Sequence, residues 1–298
     1  MKKFIKNSAL LFGISVVLII SLVMVSHSIT RHFFDYSINE SKNILVVGNS
    51  HLEYAIDDEI IPQAFNIAQS GSGYFYSYLK VREIANRNKQ IDTIILGYSY
   101  EDFSEYRVKW FSGEDKIKFK MRDHFFLFTS KDYFELLESN PKSVITNTPQ
   151  VIVHSMKVLI KGYPYLGGHV NSDRSKLNES FKRYDPNYYI NTTNKPPKYQ
   201  DKYLLKIYEY CQKNSIKLIL LNSPIHPKMD KDLQANKQLY CNFASQNMPD
   251  ATLINYSNYF KNDDYFSDIS HLNAVGSNLF SKHLNEVGFS SRDTLCSK

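Results

Sequence analysis

The stretch NILVVGNSHLEYAI, residues 43–56, decides the predicted fold. Its apolar run Ile44 to Val47 is short and bounded by turn residues, which is typical of a buried strand. The chain then passes through Gly48-Asn49-Ser50 into a helical pattern, with Ser50 as a favoured cap residue and Glu53 three positions later. A strand that turns directly into a helix is the building unit of an α/β fold.

Four more apolar runs of strand length follow along the chain. The first four of the five runs are nearly continuously apolar, as expected for strands covered on both faces, and helical patterns lie between several of them. The sequence therefore predicts a three-layer α/β/α domain with a central parallel sheet of about five strands. The predicted strands are Ile44–Val47, Ala64–Ala68, Thr93–Gly97, Lys217–Leu221 and Ala251–Ile254, and the predicted helices include Tyr76–Asn88, Lys202–Asn214 and Ala274–Val287.

A long segment separates the third and fourth predicted strands. Residues 101–201 are too many for a plain crossover between parallel strands, so we expect a large insertion or lid there. Its first part is aromatic and basic, and residues 133–161 show a helical pattern. The prediction is one domain over residues 31–298 that carries this insertion.

The first thirty residues differ from the rest in composition. Lys2, Lys3 and Lys6 precede an uncharged apolar run from Ala9 to Val25. Its length lies between that of a signal-peptide core and that of a spanning helix, and no A-x-A-like cleavage site follows. Residues 1–30 are therefore predicted to be an uncleaved transmembrane helix. The leading lysines predict a single-pass protein of the bacterial cytoplasmic membrane, with its main domain on the periplasmic or extracellular side.

Charge and cysteine content exclude some classes of function. The 298-residue chain has a formal net charge of +6, and three of these charges belong to the N-terminal lysines. The remainder is only mildly basic, so no nucleic-acid partner is expected. No residues have the spacing of metal ligands, and no cofactor is predicted. Of Cys211, Cys241 and Cys296, the first two either form a disulfide or stay as buried free thiols.

The residues after the strands determine the predicted chemistry, because ligands of an open parallel sheet bind at the carboxyl ends of its strands. A serine there, Ser50, becomes nucleophilic only when a histidine accepts its proton and a carboxylate orients that histidine. Asp268 and His271, three residues apart, supply both groups. The amides of Ser50 and Gly71 are candidate donors to the oxyanion of an acyl-transfer transition state.

These residues resemble the sequence blocks of the SGNH/GDSL hydrolase superfamily. Gly48-Asn49-Ser50 is similar to its Gly-Asp-Ser block, residues 66–71 (NIAQSG) to its Asn-x-Gly-x-Ser-Gly block, and residues 268–271 (DISH) to its Asp-x-x-His block. The third block of this sequence differs from the family's pattern. Gly97-Tyr98-Ser99 stands where the family has Gly-x-Asn, so the asparagine donor to the oxyanion is absent, and Ser99 is a candidate substitute. The resemblance is to the membrane-anchored envelope branch that includes the D-alanyl-lipoteichoic acid and alginate O-acetylation proteins.

The resemblance implies a flavodoxin-like SGNH domain and a serine-dependent enzyme acting on acyl groups of a cell-envelope polysaccharide or other acylated glycan. Ser50 would attack the ester carbonyl, with His271 as the base and Asp268 orienting it. The enzyme would be an ester hydrolase or an O-acyltransferase, and its partners would include the cytoplasmic membrane and a membrane-bound O-acyltransferase.

Simpler roles for the same residues stay open beside these. Ser50 alone would be a helix cap, and Asp268 and His271 would be residues of a helix start. Further candidates, for substrate contacts, are His51, His226 and Tyr98. The competing hypothesis is a non-catalytic SGNH-fold envelope protein that binds polymer or a membrane acyltransferase partner.

Overall fold

The computed structural model describes residues 1–34, 36–161, 165–173, 176–289 and Cys296. The chain divides into two compact units. The first unit comprises Met1–Asp35 and Ile117–Tyr165, and the second comprises Tyr36–Lys116 and Leu166–Lys298. Of the predicted insertion at residues 101–201, residues 117–165 thus belong to the first unit and the others to the second.

The second unit contains a five-stranded parallel sheet with the order β2-β1-β3-β4-β5. This confirms the predicted α/β fold with a parallel sheet of about five strands. The strands are β1 (Ile44–Val47), β2 (Ala64–Asn66), β3 (Thr93–Gly97), β4 (Lys217–Asn222) and β5 (Thr252–Asn255).

The α-helices are α1 (Lys2–Phe33), α2 (Ser50–Glu53), α3 (Tyr74–Arg87), α4 (Lys109–Ser112), α5 (Glu114–His124), α6 (Ser130–Ser139), α7 (Pro141–Lys161), α8 (Leu177–Arg183), α9 (Gln200–Lys213), α10 (Pro227–Leu233), α11 (Lys237–Asn247) and α12 (Ala274–Val287). The three predicted helices, residues 76–88, 202–214 and 274–287, appear as α3, α9 and α12 with ends that differ by at most two residues. Short 3-10 helices lie at Tyr100–Phe103, Glu105–Val108, Phe125–Leu127, Pro186–Tyr188, Gln234–Asn236 and Asp263–Tyr265.

The position of β1 in the sheet determines where a ligand would bind. Ile44 pairs with Ala64 of β2 on one side and with Thr93 of β3 on the other. The chain therefore leaves β1 at the point where the strand order reverses, and the residues after β1 lie in the crevice at that switch point.

Both faces of the sheet are buried, which explains why its strands are almost continuously apolar. Neighbouring side chains of a strand point to opposite faces, and Leu45 and Val46 are each fully buried. Val46 packs in one cluster with Phe280 and Leu284 of α12, while α3 packs against α9 and contacts β1.

The first unit is helical. The region predicted to be helical, residues 133–161, forms α6 and α7, which pack against each other. Thr129 and Asp132 form a capping box that begins α6. Pro141 begins α7. The first N–H groups of a helix have no acceptor within the helix, so the N–H that proline lacks costs no helical hydrogen bond.

The predicted N-terminal transmembrane helix and the single-pass membrane localisation are wrong. The N-terminal residues do form a helix, α1, but within the described ranges no helix has both the length and the apolar character that crossing a membrane requires. The apolar run from Ala9 to Val25 covers about 17 residues, which is shorter than the ~20 that span a bilayer core.

The cysteines pair differently from the disulfide considered in the sequence. Cys241 of α11 is joined to Cys296, 55 residues later. Cys211 is free and lies on the buried face of α9, and burial raises the pKa of its thiol to about 12. The Cys211–Cys241 bridge is therefore not formed.

Candidate active site

Ser50, His271 and Asp268 form a continuous chain of hydrogen bonds. His271 Nε2 lies 2.8 Å from Ser50 Oγ, and His271 Nδ1 lies 2.9 Å from both carboxylate oxygens of Asp268. One ring nitrogen thus faces the hydroxyl and the other faces the carboxylate. In this arrangement an imidazole can accept a serine proton while the carboxylate fixes its tautomer and orientation.

The local sequence puts Ser50 at the first position of α2, directly after β1. Asn49 is the N-cap, and its side chain accepts a hydrogen bond from the His51 amide at 2.9 Å. The capping position is therefore occupied by Asn49, and the Ser50 hydroxyl is used towards His271 instead. The Ser50 amide is in the first turn, where helix N–H groups have no acceptor within the helix.

A tight loop before α12 presents Asp268 and His271 together. One Asp268 oxygen accepts from the backbone amides of Ser270 and His271, at 2.8 and 3.0 Å. Burial raises the pKa of the Asp268 carboxyl, but the hydrogen bonds and charge of His271 outweigh it, and the net effect is a lowered pKa. Asp268 therefore stays ionised at neutral pH. Asn273 then begins α12 by capping the amide of Gly276.

His271 and Asp268 are partly exposed, and an aromatic ring packs against His271. The side chains of His271 and Asp268 are 22% and 24% exposed, and the Tyr54 ring centroid lies 4.8 Å from that of His271. The His271 and Asp268 side chains are therefore partly open to solvent.

Gly71 lies in a tight turn after β2. The Ser72 amide donates to the Gln69 carbonyl at 3.0 Å, and Gly71 has a φ of +68°. A Cβ at this position would lie 2.1 Å from a ring carbon of Trp110. Only glycine fits both the left-handed conformation and the indole packed against it.

A buried cluster of charges lies beside Ser50. It consists of His51, Glu101, Asp102 and Arg107, all at most 5% exposed, and we call it the Arg107 cluster. His51 Nε2 lies 2.9 Å from Glu101 Oε2, and Arg107 Nη1 lies 3.2 Å from Glu101 Oε1. Arg107 Nη2 also donates to Asp102. Asn49, the cap of α2, lies 3.4 Å from Asp102, so the cluster contacts the chain on both sides of Ser50.

The charges in the Arg107 cluster support one another. Burial lowers the pKa of His51, but the carboxylate of Glu101 outweighs it and the net effect is a raised pKa. Burial raises the pKa of Glu101, but His51, Arg107 and Tyr106 hold it well below its usual range. The two residues therefore favour a protonated His51 paired with an ionised Glu101. A single buried charge without such a partner would be strongly destabilising.

The third sequence block serves the Arg107 cluster. The amide and the hydroxyl of Ser99 donate to Asp102 Oδ2 at 2.8 and 3.0 Å. Tyr98 is fully buried, and its hydroxyl donates to the Tyr240 carbonyl at 2.7 Å. The Ser99 hydroxyl thus already donates its hydrogen bond to a carboxylate, and Tyr98 is part of the core.

His226 supports the loop of the triad. Its ring nitrogen Nε2 lies 3.0 Å from Asp263 Oδ1, and its amide donates to the Ile269 carbonyl at 3.1 Å. His51, the third candidate for a substrate contact, is a member of the Arg107 cluster, with its ring centroid 5.4 Å from that of His271. In the part of the chain that the structure describes, no group of three or more His, Cys, Asp or Glu residues is arranged to hold a metal ion.

The matches to known proteins are either partial or distant. A protein-family model of unknown function matches residues 171–290, less than half of the chain, which includes Asp268 and His271 but not Ser50. No curated protein matches. One matching solved structure is a Streptococcus pneumonia protein whose name refers to platelet activating factor. It is 15% identical, and the match covers 94% of this chain and 98% of that one with a TM-score of 0.40.

Proposed function

We propose that the protein is a serine-dependent acyl ester hydrolase or O-acyltransferase of the SGNH/GDSL type. The observation that carries the proposal is the hydrogen-bonded chain from Ser50 through His271 to Asp268. Its position after β1, at the switch point of a parallel sheet buried on both faces, supports a three-layer SGNH domain.

The first half of the proposed reaction forms an acyl-enzyme. Ser50 Oγ attacks the carbonyl carbon of the ester while His271 Nε2 takes the hydroxyl proton, and Asp268 stabilises the resulting imidazolium. The tetrahedral intermediate breaks its bond to the leaving oxygen, and His271 returns the proton to that oxygen. The alcohol leaves, and the acyl group remains esterified to Ser50.

The second half frees the serine. His271 takes a proton from water or from a hydroxyl group of an acceptor, and that oxygen attacks the acyl carbonyl. The bond to Ser50 Oγ breaks, and His271 gives the serine its proton back. Water makes the enzyme a hydrolase, whereas a glycan hydroxyl makes it an O-acyltransferase.

The proposed oxyanion donors are the backbone amides of Ser50 and Gly71. The Ser50 amide, in the first turn of α2, has no acceptor within the helix, and the Gly71 amide lies in a turn that only glycine fits. Since the Ser99 hydroxyl donates its hydrogen bond to Asp102, we do not assign Ser99 as an oxyanion donor. Each missing donor costs about 10² to 10³ in rate, so the enzyme should be slower than relatives that keep the asparagine.

The proposed substrate is an acylated glycan, including a polysaccharide of the cell envelope. Aromatic side chains offer large flat faces with a polar handle, which suits a ligand that has both apolar and hydroxyl faces. Tyr54 lies beside His271, and Trp110 packs over Gly71. Tyr188, which is 46% exposed, stacks on Tyr106 at 4.4 Å.

A non-catalytic glycan-binding protein with the same fold is the alternative. One observation favours it: the residue that stands for the family's oxyanion asparagine is tied to a buried carboxylate. Under this alternative Ser50 and His271 would be remnants, and the aromatic surroundings would bind polymer without turnover.

Ester hydrolysis by the purified full chain tests the proposal. Wild type should turn over para-nitrophenyl acetate, and Ser50→Ala should lower the rate at least ~10³-fold. Ser270→Ala is the matched control, because its hydroxyl contacts Met229 and its backbone amide, which serves Asp268, is kept. Absence of turnover that depends on Ser50, together with no labelling of Ser50 by a serine-reactive phosphonate, would reject the enzyme and favour the binding protein.

A further inference from the structure

A groove lined by basic side chains lies in the first unit, between α5 and α7. It has a volume of about 430 Å³, which is within the range of sites for small organic molecules. No part of the proposed reaction uses this groove.

The basic side chains reach the groove from both of its helices. Lys118 and Arg122 are four residues apart on α5, and His154 and Lys157 are three residues apart on α7. Residues at these spacings share one face of a helix, so the like charges of Lys118 and Arg122 destabilise α5. The arrangement is unfavourable for α5 alone, whereas an anion between the helices would be attracted by Lys118 and Arg122 from one side and by Lys157 from the other.

The charge balance of the groove indicates the size of the anion's charge. Lys118, Arg122 and Lys157 contribute three positive charges, and Asp123, which lies 2.9 Å from Arg122 Nε, contributes one negative charge. About two positive charges remain, which matches the ~−1.5 to −2 of a phosphate monoester at neutral pH better than the single charge of a carboxylate. A planar guanidinium also suits the paired oxygens of a phosphate.

We propose that this groove is a binding site for a small phosphate monoester. The phosphate lies between Lys118, Arg122 and Lys157. The organic group of the ester lies against the apolar part of the wall, which includes Pro149 and Val153.

Calorimetric titration of the full chain with three probes tests the proposal. Phenyl phosphate carries both the dianion and an apolar ring, inorganic phosphate carries only the anion, and benzoate carries the ring with a carboxylate. Phenyl phosphate should bind at least ~10-fold more tightly than benzoate and more tightly than inorganic phosphate, and its affinity should fall with salt. The double variant Lys118→Ala/Lys157→Ala should lose at least ~10-fold in affinity. Both lysines are exposed, so the variant should fold.

The matched control removes two positive charges elsewhere in the first unit. Lys131 and Lys142 are exposed and do not line the groove. Lys131→Ala/Lys142→Ala should therefore change the affinity for phenyl phosphate by less than about 2-fold. The proposal is overturned by no binding at about 10 mM phenyl phosphate, by equal affinity for benzoate, or by equal losses in the two double variants.

Discussion

His51 Nε2 lies 2.9 Å from Glu101 Oε2, although the two residues are 50 positions apart and each is at most 5% exposed. His51 follows the proposed nucleophile directly in the chain. The contact therefore ties the first turn of α2 to the segment after β3, and Arg107 holds Glu101 from its other side. The desolvation of two buried charges offsets most of the attraction between them, so this pair adds little to the stability of the fold. Its role is better explained as positioning of the first turn of α2.

Glu101→Gln is expected to lower both stability and turnover. It leaves Arg107 with one carboxylate partner and removes the carboxylate that contacts His51, and breaking a buried pair in this way costs about 3 kcal/mol of unfolding free energy. Because Ser50 would shift relative to His271, kcat should fall about 10²-fold while KM for a small ester changes little. Urea unfolding and steady-state kinetics measure the two effects.

Glu105→Gln is the control for this prediction. Glu105 lies in the same segment but is exposed, and its contacts are to Thr192. The variant should resemble wild type in both measurements. If Glu101→Gln also resembled wild type, the Arg107 cluster would not position the nucleophile.

Asp268→Asn is expected to separate the catalytic and the electrostatic roles of this carboxylate. An asparagine cannot stabilise the imidazolium and favours the wrong tautomer of His271, so kcat should fall about 10³- to 10⁴-fold. Because the folded-state pKa of Asp268 is lowered, its ionised form stabilises the protein above the unfolded pKa of about 4. This stabilisation is lost as the pH falls through the folded pKa.

Urea unfolding of both proteins between pH 7 and pH 2 measures this contribution. The difference in unfolding free energy between wild type and Asp268→Asn should be constant above about pH 5 and shrink as the pH falls below 4. A difference that grows towards acid pH would contradict the lowered pKa.

The sheet and the triad could be predicted from the sequence because each rests on a local pattern and one topological rule. Short apolar runs gave the strands, and the rule that parallel strands present their carboxyl ends at one edge predicted that Ser50 would meet His271, 221 residues later. The local capping pattern was less informative. Ser50 looked like the cap of α2, but Asn49 occupies that position.

The Arg107 cluster and the packing of Trp110 could not be predicted in the same way. An arginine in an irregular segment is exposed by default, and only the surrounding fold shows that Arg107 is buried between two carboxylates. The available signal was the acidic pair Glu101-Asp102, which begins four residues after the end of β3, since carboxylates buried near a strand end need partners. The long insertion gave no pattern that would place Trp110 against Gly71.

Removal of the disulfide is expected to destabilise the protein strongly. The bond between Cys241 and Cys296 closes a loop of 55 residues, and chain-entropy arguments give about 4 kcal/mol for a loop of this length. Cys241→Ser and Cys296→Ser should lower the midpoint of urea unfolding equally, and the double variant should be no worse than either. A reducing agent should destabilise wild type but not these variants.

Thiol titration checks the pairing independently. Oxidised wild type should contain one free thiol, Cys211, which reacts only after unfolding because it is buried. A bond between Cys211 and Cys241 would instead leave Cys296 free. Peptide mapping of the alkylated protein distinguishes the two pairings.

Gly71→Ala is expected to reduce both stability and turnover, for two separable reasons. The φ of +68° costs a non-glycine residue about 1 kcal/mol or more. The new methyl group would also lie 2.1 Å from Trp110, so the indole or the turn must move. Displacement of the Gly71 amide, a proposed oxyanion donor, should lower kcat by up to about 10²- to 10³-fold.

The loss of unfolding free energy caused by Gly71→Ala should be larger in wild type than in the Trp110→Leu background, and the excess measures the contact with Trp110. Combining Gly71→Ala with Trp110→Leu should remove this excess while the backbone cost stays. If kcat then recovered to the value of Trp110→Leu alone, displacement of the amide by the indole would be its cause. An unchanged kcat in Gly71→Ala itself would remove Gly71 from the proposed oxyanion donors and leave the Ser50 amide.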